Sequence, residues 1–551
     1  MKEAKRAVSS CDGSFSRRSK PLREGTAPLP PVLRKPWCAA VLVLVCAAVV
    51  PAADWVQFQN SKERLGRTTD QVLPDYRGRW FWLKTRLWRN TLSVSTWTGP
   101  GCYSIPPRTP LSDIVGSLGF SVPFTFMEGV QPAVADGRVY IGDMDGFAYC
   151  IKSDDGTTLW SSPNPGGTLC SAAYVGGVAV FVSGTGFIRG YDGLTGAQLW
   201  EIETGGAITS DPLTDGARVY VGSQDGRVYC INPAPGGNPR VVWVSPFLGA
   251  QVSGGIAMDD THLYVGAENM MFYKLSAADG GVVLSTRVAG QSFHTQWPVV
   301  FSSFVFVEAS PIPAIGSEWA MEEVMDEPGN TSIAVERSLI LRWLSGDTNG
   351  GRWPDASPDW KHFTVLRKAD FTEPYVVADG PFDGCGSPPP PPVVDNKNRL
   401  IKYWKSKFRH FARENGFGSY HEIDISSMNL TNGYREILGD GTPSDEWYTW
   451  ESDNLYGMTV GGDWLYLRQN FRGTIALNLT RPSQNDARLE CRYQDPGWYN
   501  GHILYTTGGD GTAVLPQATM RAPGRRAGPT ISGSRVYFTQ PWCLVAVEHH
   551  Q

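Results

Sequence analysis

The sequence predicts an all-β protein, a β-propeller of eight four-stranded antiparallel blades closed by an N-terminal strand, with seven blades as the alternative. The first observation is a short pattern that recurs four times within residues 132–275. Each copy alternates apolar and polar residues and turns at Asp and Gly, which is typical of a β-meander. The second observation is the repeat length, because the copies follow one another at 41, 39 and 44 residues, about the size of one blade. The spacing is measured between the aromatic residues of the second strands, Tyr140, Phe181, Tyr220 and Tyr264.

Weaker copies continue the repeat after residue 275, where the period becomes irregular. Apolar strand pairs remain visible, with equivalent anchor residues at Phe306, Ile401, Tyr466 and Tyr537. Together with the four regular copies they give eight blades. If the copy around Phe306 forms no blade, the count becomes seven.

The C-terminus supplies the third observation, because residues 532–551 end on the third strand of a blade. The outermost strand of that blade must come from elsewhere, and residues 80–84 in the apolar stretch RWFWLKTRL are the natural source. We predict that they pair with residues 544–548, since such closure removes free sheet edges. Residues 53–124 would then be a lead-in with the closing strand, and residues 125–551 the propeller.

The N-terminal 52 residues predict a signal peptide with an unusually long basic n-region. An apolar run of about fourteen residues, ending near Val50, is short for a membrane span and suited to a signal-peptide core. Val50 and Ala52 fit the −3 and −1 positions of a cleavage site near Ala52. An uncleaved signal anchor is the alternative. Both place the remainder of the chain outside the cytoplasm, periplasmic or secreted, with membrane association only in the uncleaved form.

Two insertions interrupt the repeat, at about residues 311–373 and 405–420. Long loops in compact domains are usually functional or disordered, and the many aromatic residues argue against disorder. The stretch 402–413, if helical, would be amphipathic, with aromatic residues on one face and basic residues on the other. We predict that both insertions pack together over one face near the axis and form a binding surface for a protein or carbohydrate partner. Its candidate residues are Trp319, Trp343, Trp353, Trp360, Arg409 and His410.

The net charge and the cysteine spacing argue against nucleic-acid binding and against a cysteine metal site. The net charge of −5 gives no electrostatic footprint for nucleic acid, so no nucleic-acid partner is expected. Seven cysteines follow residue 52, and none are spaced as a metal site. Cys150 and Cys230 occupy the same position of different repeats, which predicts small buried core residues.

A more specific tail follows the third strand of the second copy. It reads Asp192-Gly-Leu-Thr195-Gly196-Ala-Gln-Leu-Trp200 and resembles the tail of the PQQ-binding-like β-propeller repeat, the blade of the quinoprotein alcohol dehydrogenase-like superfamily. The lead-in residues Trp55, Gln57, Arg64 and Gly66 resemble the segment that commonly precedes these propellers. The resemblance implies structural roles for Asp192, Thr195 and Gly196, and packing between blades for Trp160, Trp200 and Trp243.

For function, the resemblance implies two alternatives. Quinoprotein dehydrogenases of this superfamily hold the quinone PQQ on the ring axis over a Trp, with a calcium ion held by Glu, Asn and Asp. No residue here matches those calcium or base positions, and many members bind no quinone. We therefore expect an exported scaffold with neither cofactor nor metal and with no identifiable catalytic residue. The alternative is a PQQ-dependent periplasmic dehydrogenase of alcohols or sugars.

Overall fold

The repeats fold as meanders because the side chains of each strand alternate between the two faces of its sheet, and tight turns at Asp and Gly connect each strand to the next. The computed structural model describes residues 53–73, 76–83, 126, 130–162, 167, 170–309, 323–354, 361–374, 390–406, 417–423, 455–469, 473–479, 528–539 and 543–549. These residues lie in one unit, 51–551. We number its sheets 1 to 8 in the chain order of their innermost strands.

Sheets 1 and 2 are complete four-stranded antiparallel meanders. Sheet 1 consists of Ala133–Ala135, Arg138–Gly142, Ala148–Lys152 and Thr158–Ser161. Sheet 2 consists of Ala173–Val175, Val178–Val182, Phe187–Asp192 and Gln198–Glu203. In sheet 1, Tyr140 lies opposite Cys150, which lies opposite Trp160, so the most strongly apolar positions of three strands stand in one row.

Sheets 3 and 4 repeat this arrangement. Sheet 3 consists of Leu213–Thr214, Val219–Ser223, Arg227–Ile231 and Val241–Val244. Sheet 4 consists of Ala257–Met258, His262–Ala267, Met271–Ser276 and Val282–Arg287. Tyr220, Cys230 and Trp243 form the row equivalent to that of sheet 1. Both cysteines are fully buried and free, as their repeat position predicted.

Sheets 5 and 6 have three strands each in the described part of the chain. Sheet 5 consists of Val299–Phe301, Phe304–Glu308 and Phe363–Arg367, and sheet 6 of Val393–Val394, Leu400–Ser406 and Phe417–Ile423. Both expected insertions are therefore shorter than predicted. Residues 363–367 pair with the second strand of sheet 5, and residues 402–406 continue a strand of sheet 6 rather than starting a helix.

Sheets 7 and 8 contain the segments that precede the first repeat. Sheet 7 consists of Leu455–Gly461, Trp464–Gln469 and Gly473–Asn478, and Arg67–Thr68 adds to its innermost strand in parallel. Sheet 8 consists of Thr530–Ser532, Arg535–Thr539, Cys543–His549 and, as its outermost strand, Tyr76–Leu83. Trp80 lies opposite Ala546, which confirms the predicted N-terminal closure.

The described residues thus confirm an all-β propeller of antiparallel sheets. They form eight sheets, six of which have four strands. Because sheets 5 to 7 show only three strands of the meander each, eight complete blades are not confirmed, and the choice between eight and seven blades stays a prediction. The core lies between neighbouring sheets: Tyr140, Cys150 and Trp160 of sheet 1, for example, pack against Phe181 and Tyr191 of sheet 2.

One helix, α1 (Ile333–Leu344), lies between the second and third strands of sheet 5. Ser332 caps it by accepting a hydrogen bond from the backbone N–H of Val335 at 3.3 Å, and the helix ends at Ser345. A 3-10 turn follows at Asn349–Gly351. The apolar side of α1 is buried against sheets 5 and 6. No helix among the described residues is long and apolar enough to cross a membrane.

Candidate functional site: the ring axis and the blade interfaces

Trp160 joins sheet 1 to sheet 2. Its ring is buried, and its indole N–H donates to the carbonyl of Gly193 at 3.1 Å. The ring covers Gly196, whose φ is +74°, and a Cβ at that glycine would lie 2.6 Å from the indole. Gly196 is therefore required twice, for its left-handed backbone and for the close approach of the ring.

The turn that contains Gly196 is held by Asp192 and Thr195. One carboxylate oxygen of Asp192 accepts from the backbone N–H of Thr195 at 2.7 Å and from its hydroxyl at 2.8 Å. These hydrogen bonds, first the one from the Thr195 backbone, lower the pKa of Asp192 below its usual value. The Asp-x-x-Thr-Gly tail of sheet 2 therefore forms the turn against which Trp160 of sheet 1 packs.

Trp200 and Trp243 make the equivalent contact at the next two interfaces. The indole N–H of Trp200 donates to the carbonyl of Pro233 at 2.9 Å, and that of Trp243 donates to Ala277 at 3.1 Å. Both rings are buried. The guanidinium of Arg240 lies 4.9 Å from the Trp200 ring centre and covers it from the neighbouring sheet.

Trp80 is a fourth tryptophan of this kind, and the sequence motif did not reveal its role. It lies on the closing strand, far from any repeat tail, yet its indole N–H donates to the carbonyl of Ser153 at 2.8 Å. A Cβ at Gly156 would lie 2.9 Å from its ring. The closing strand therefore seals sheet 8 to sheet 1 with the same contact that joins sheets 1 to 4.

The axial side of the ring is occupied by residues 53–70, which we call the lead-in segment. It hydrogen-bonds to the innermost strand, or to the turn directly after it, of every one of the eight sheets. In order from sheet 1 to sheet 8, its bonding residues are Trp55, Val56, Gln57, Lys62, Glu63, Leu65, Gly66 and Asp70. A segment that reaches all eight innermost strands must run around the space that they enclose. The lead-in segment thus lines the inner strands of the ring.

Arg64 is the most deeply placed charge of the lead-in segment and is fully buried. Its guanidinium donates to the carbonyl of Phe58 within the segment and to the carbonyl of Ile256 at 2.8 Å. Longer bonds of 3.3 Å reach the carbonyls of Asp211 and Pro212. One side chain therefore fixes the lead-in segment to the chain entering sheets 3 and 4.

Gln131 connects the lead-in segment to sheets 1 and 8, where the ring closes. Its side-chain oxygen accepts from the indole N–H of Trp55 at 3.1 Å and from the backbone N–H of Gln59. Its side-chain nitrogen donates to the carbonyl of Gly528 at 2.9 Å, just before sheet 8. Because Trp55, Gln59 and Gln131 are all buried, this amide links the lead-in segment to both sheets at the junction.

The predicted binding surface is only partly within the described residues. Trp343 is fully buried and Trp353 nearly so, both in the core between α1 and sheet 5, so neither ring belongs to an exposed surface. The indole N–H of Trp353 donates to Glu327 at 3.0 Å. The other four candidates, Trp319, Trp360, Arg409 and His410, lie outside the described residues, as does the predicted packing of the two insertions on each other.

A buried charged cluster stands at the base of the first insertion. Glu308 ends the second strand of sheet 5, and one of its oxygens lies 2.5 Å from Nδ1 of His362, directly before the third strand. The other oxygen lies 3.0 Å from Nζ of Lys402 in sheet 6. All three side chains are buried. The cluster therefore holds the two ends of the insertion together and ties them to the next sheet.

A calcium ion would need several carboxylate or amide oxygens close together. Among the described residues, no three His, Cys, Asp or Glu side chains are placed to hold a metal ion. Three buried carboxylates have partners within the chain: Asp211 accepts from the backbone N–H of Ser171, Asp143 accepts from its own turn, and Glu308 belongs to the charged cluster.

The meander sheets, the docking tryptophans and the lead-in segment make this chain similar to PQQ-like β-propeller repeat proteins. The chain matches the family model described as outer membrane protein assembly factor BamB over residues 84–238 and 237–324. It is 27% identical over 128 residues to the outer membrane protein assembly factor BamB of Yersinia pestis, which covers 20% of this chain and 31% of that protein.

A second relative is a tetrathionate hydrolase of Acidithiobacillus ferrooxidans, 24% identical over 180 residues, which covers 29% of this chain and 36% of that protein. The chain thus spans about a third of the length of these curated relatives. Among solved structures, BamB from Moraxella catarrhalis is 12% identical, with a TM-score of 0.43 over 77% of this chain and 95% of that one. The designed protein Ika8 is 10% identical, with a TM-score of 0.46 over 78% and 96%.

Proposed function

We propose that this protein is an exported β-propeller that acts as a binding scaffold without quinone chemistry. The observation that carries the proposal is the lead-in segment, which bonds to all eight sheets on the axial side of the ring. In the quinoproteins that the repeat resembles, that axis is where the cofactor is held. A chain that uses the axis to fasten its own sheets gains rigidity there and offers its outer surfaces for binding.

The partner that we favour is a protein outside the cytoplasm, in the periplasm or beyond. The name of the BamB relatives, an outer membrane protein assembly factor, supports a protein partner over a carbohydrate. We place the partner on the insertion face, the face of the ring that carries the turns between second and third strands. The first insertion leaves sheet 5 on that face, and α1 exposes Ser338 and Arg342 there.

The absence of quinone chemistry is tested by adding PQQ and calcium to the purified protein. We expect no saturable change in the near-ultraviolet and visible spectrum and no dye-linked oxidation of alcohols or sugars. A quinoprotein dehydrogenase handled in parallel is the positive control. Stoichiometric quinone binding together with dye reduction would overturn the scaffold proposal and establish the dehydrogenase alternative.

The binding face is tested with a photo-crosslinking amino acid placed at single exposed positions in the native host. Ser338 and Arg342 probe the insertion face. Leu194 is the matched control, because it is 67% exposed in a turn between third and fourth strands, on the opposite face. We expect a discrete crosslinked protein from the first two positions and none from Leu194. The reverse pattern would contradict the proposed face.

A further inference from the structure

Ala53 is held from two sides where sheet 8 meets the lead-in segment. Its backbone nitrogen lies 2.9 Å from Oδ2 of Asp70, and the same oxygen accepts from the backbone N–H of Gly533. Its carbonyl accepts from the hydroxyl of Ser532 at 2.8 Å. This residue directly follows Ala52, the −1 position of the cleavage site that the sequence predicts.

The surroundings of this nitrogen are acidic. Asp136 and Asp70 both lie close enough to Asp54 to act on its charge, and the pKa of the Asp54 carboxyl is raised, first by burial and then by the charge of Asp136, with a smaller contribution from Asp70. Within the described residues, neither Asp54 nor Asp70 forms an ion pair with a lysine or an arginine. Carboxylates crowded in this way favour a cation among them.

We infer that a leader peptidase hydrolyses the Ala52–Ala53 bond and that the new α-ammonium group of Ala53 forms an ion pair with Asp70, which locks the lead-in segment in the ring. In this step water adds across the amide: the carboxylate leaves on Ala52, and the amine of Ala53 takes up a proton. A hydrogen bond from an uncharged amide N–H to the carboxylate thereby becomes an ion pair between two opposite charges. Since Ala53 is bonded on both sides in the folded ring, cleavage precedes docking of the segment.

The inference predicts that Asp70 matters more in the processed chain than in an extended one. Two forms are compared at pH 7 and low salt: one begins at Ala53, and the other keeps residues 51 and 52. Because only the processed form adds the attraction between two opposite charges to this hydrogen bond, Asp70→Asn should lower the Tm more in the processed form than in the extended one. Equal losses in both forms would overturn the inference.

Asp260→Asn is the matched control. Asp260 pairs with Nζ of Lys62 at 2.6 Å, so it also anchors the lead-in segment, but to a charge that does not depend on cleavage. Its effect on the Tm should be the same in both forms. N-terminal sequencing of the naturally exported protein should begin at Ala53, and a different first residue would also overturn the inference.

A measurement without mutation covers the case in which Asp70→Asn fails to fold. The α-amino group of the processed, unmutated protein is acetylated with an amine-reactive ester at pH 7, and its rate is compared with that of the urea-unfolded chain. Pairing with Asp70 should slow the reaction in the folded state. Equal rates in the folded and unfolded states would contradict the ion pair.

Discussion

Replacing Arg64 with Met should weaken the ring more than its single charge suggests. The substitution keeps a long apolar stem but removes the donors that serve the carbonyls of Phe58 and Ile256, both in fully buried surroundings. Hydrogen bonds to charged groups contribute about 1.5–3 kcal/mol each, and buried carbonyls left without a donor add their desolvation cost. Counting the two shorter bonds alone, we expect a loss of about 3–6 kcal/mol in the free energy of unfolding.

The assay is urea unfolding followed by circular dichroism, with Lys62→Met as the control. Lys62 lies on the same segment, but its pair with Asp260 is exposed, so that its removal should cost less than about 1 kcal/mol. Arg64→Lys should fall between the two, because it keeps a charge with fewer and less spread donors. A loss below about 1 kcal/mol for Arg64→Met would refute the role of the lead-in segment as the fastening of the ring.

Three further outcomes are expected. Trp200→Phe, which removes the bond to Pro233 and part of the ring, should cost about 1–3 kcal/mol, against about 3–5 kcal/mol for Trp200→Ala, and equal urea midpoints for the two would contradict the role of the ring in joining the sheets. Deleting Tyr76–Leu83 should abolish the cooperative thermal transition, and an unchanged Tm would contradict closure. Burial raises the pKa of the Cys150 and Cys230 thiols from 9.0 to about 12, so iodoacetamide at pH 8 should label neither in the folded protein. Between pH 9 and about 12 these thiols lose their protons in the unfolded chain but keep them in the folded one. The free energy of unfolding should therefore fall as the pH rises through this range, which unfolding experiments at alkaline pH would measure.

The regular part of the fold was predictable because its determinants are local. Within each repeat, the alternation of side chains and the Asp and Gly turns specify a meander without reference to other blades. The Trp160 and Gly196 contact joins two blades, but both partners belong to a motif of fixed spacing, so their packing could be expected. Closure followed from counting strands, because a blade that lacks its outer strand must obtain one.

The axial contacts could not be predicted because their partners are far apart in sequence and follow no period. Gln131 and Gly528 are separated by 397 residues, and Gln57 and Thr214 by 157. Trp80 lacks the tail that identifies the other docking tryptophans. The end of the first insertion was misplaced because Phe363–Arg367 lies too far from its sheet partner for a spacing rule to connect them.

The wide reach of the lead-in segment also governs the order in which the chain can fold. Ala53 bonds to Ser532, 479 residues later, so the lead-in segment is synthesised long before its partners in sheet 8. Early sheets can form as each meander is completed, but the ring has no stable inner lining until its final strands arrive. Native contacts of such long sequence separation make folding slow. The unfinished ring therefore exposes apolar strands for an extended time. Such strands can aggregate, so folding of this architecture depends on chaperones that protect them.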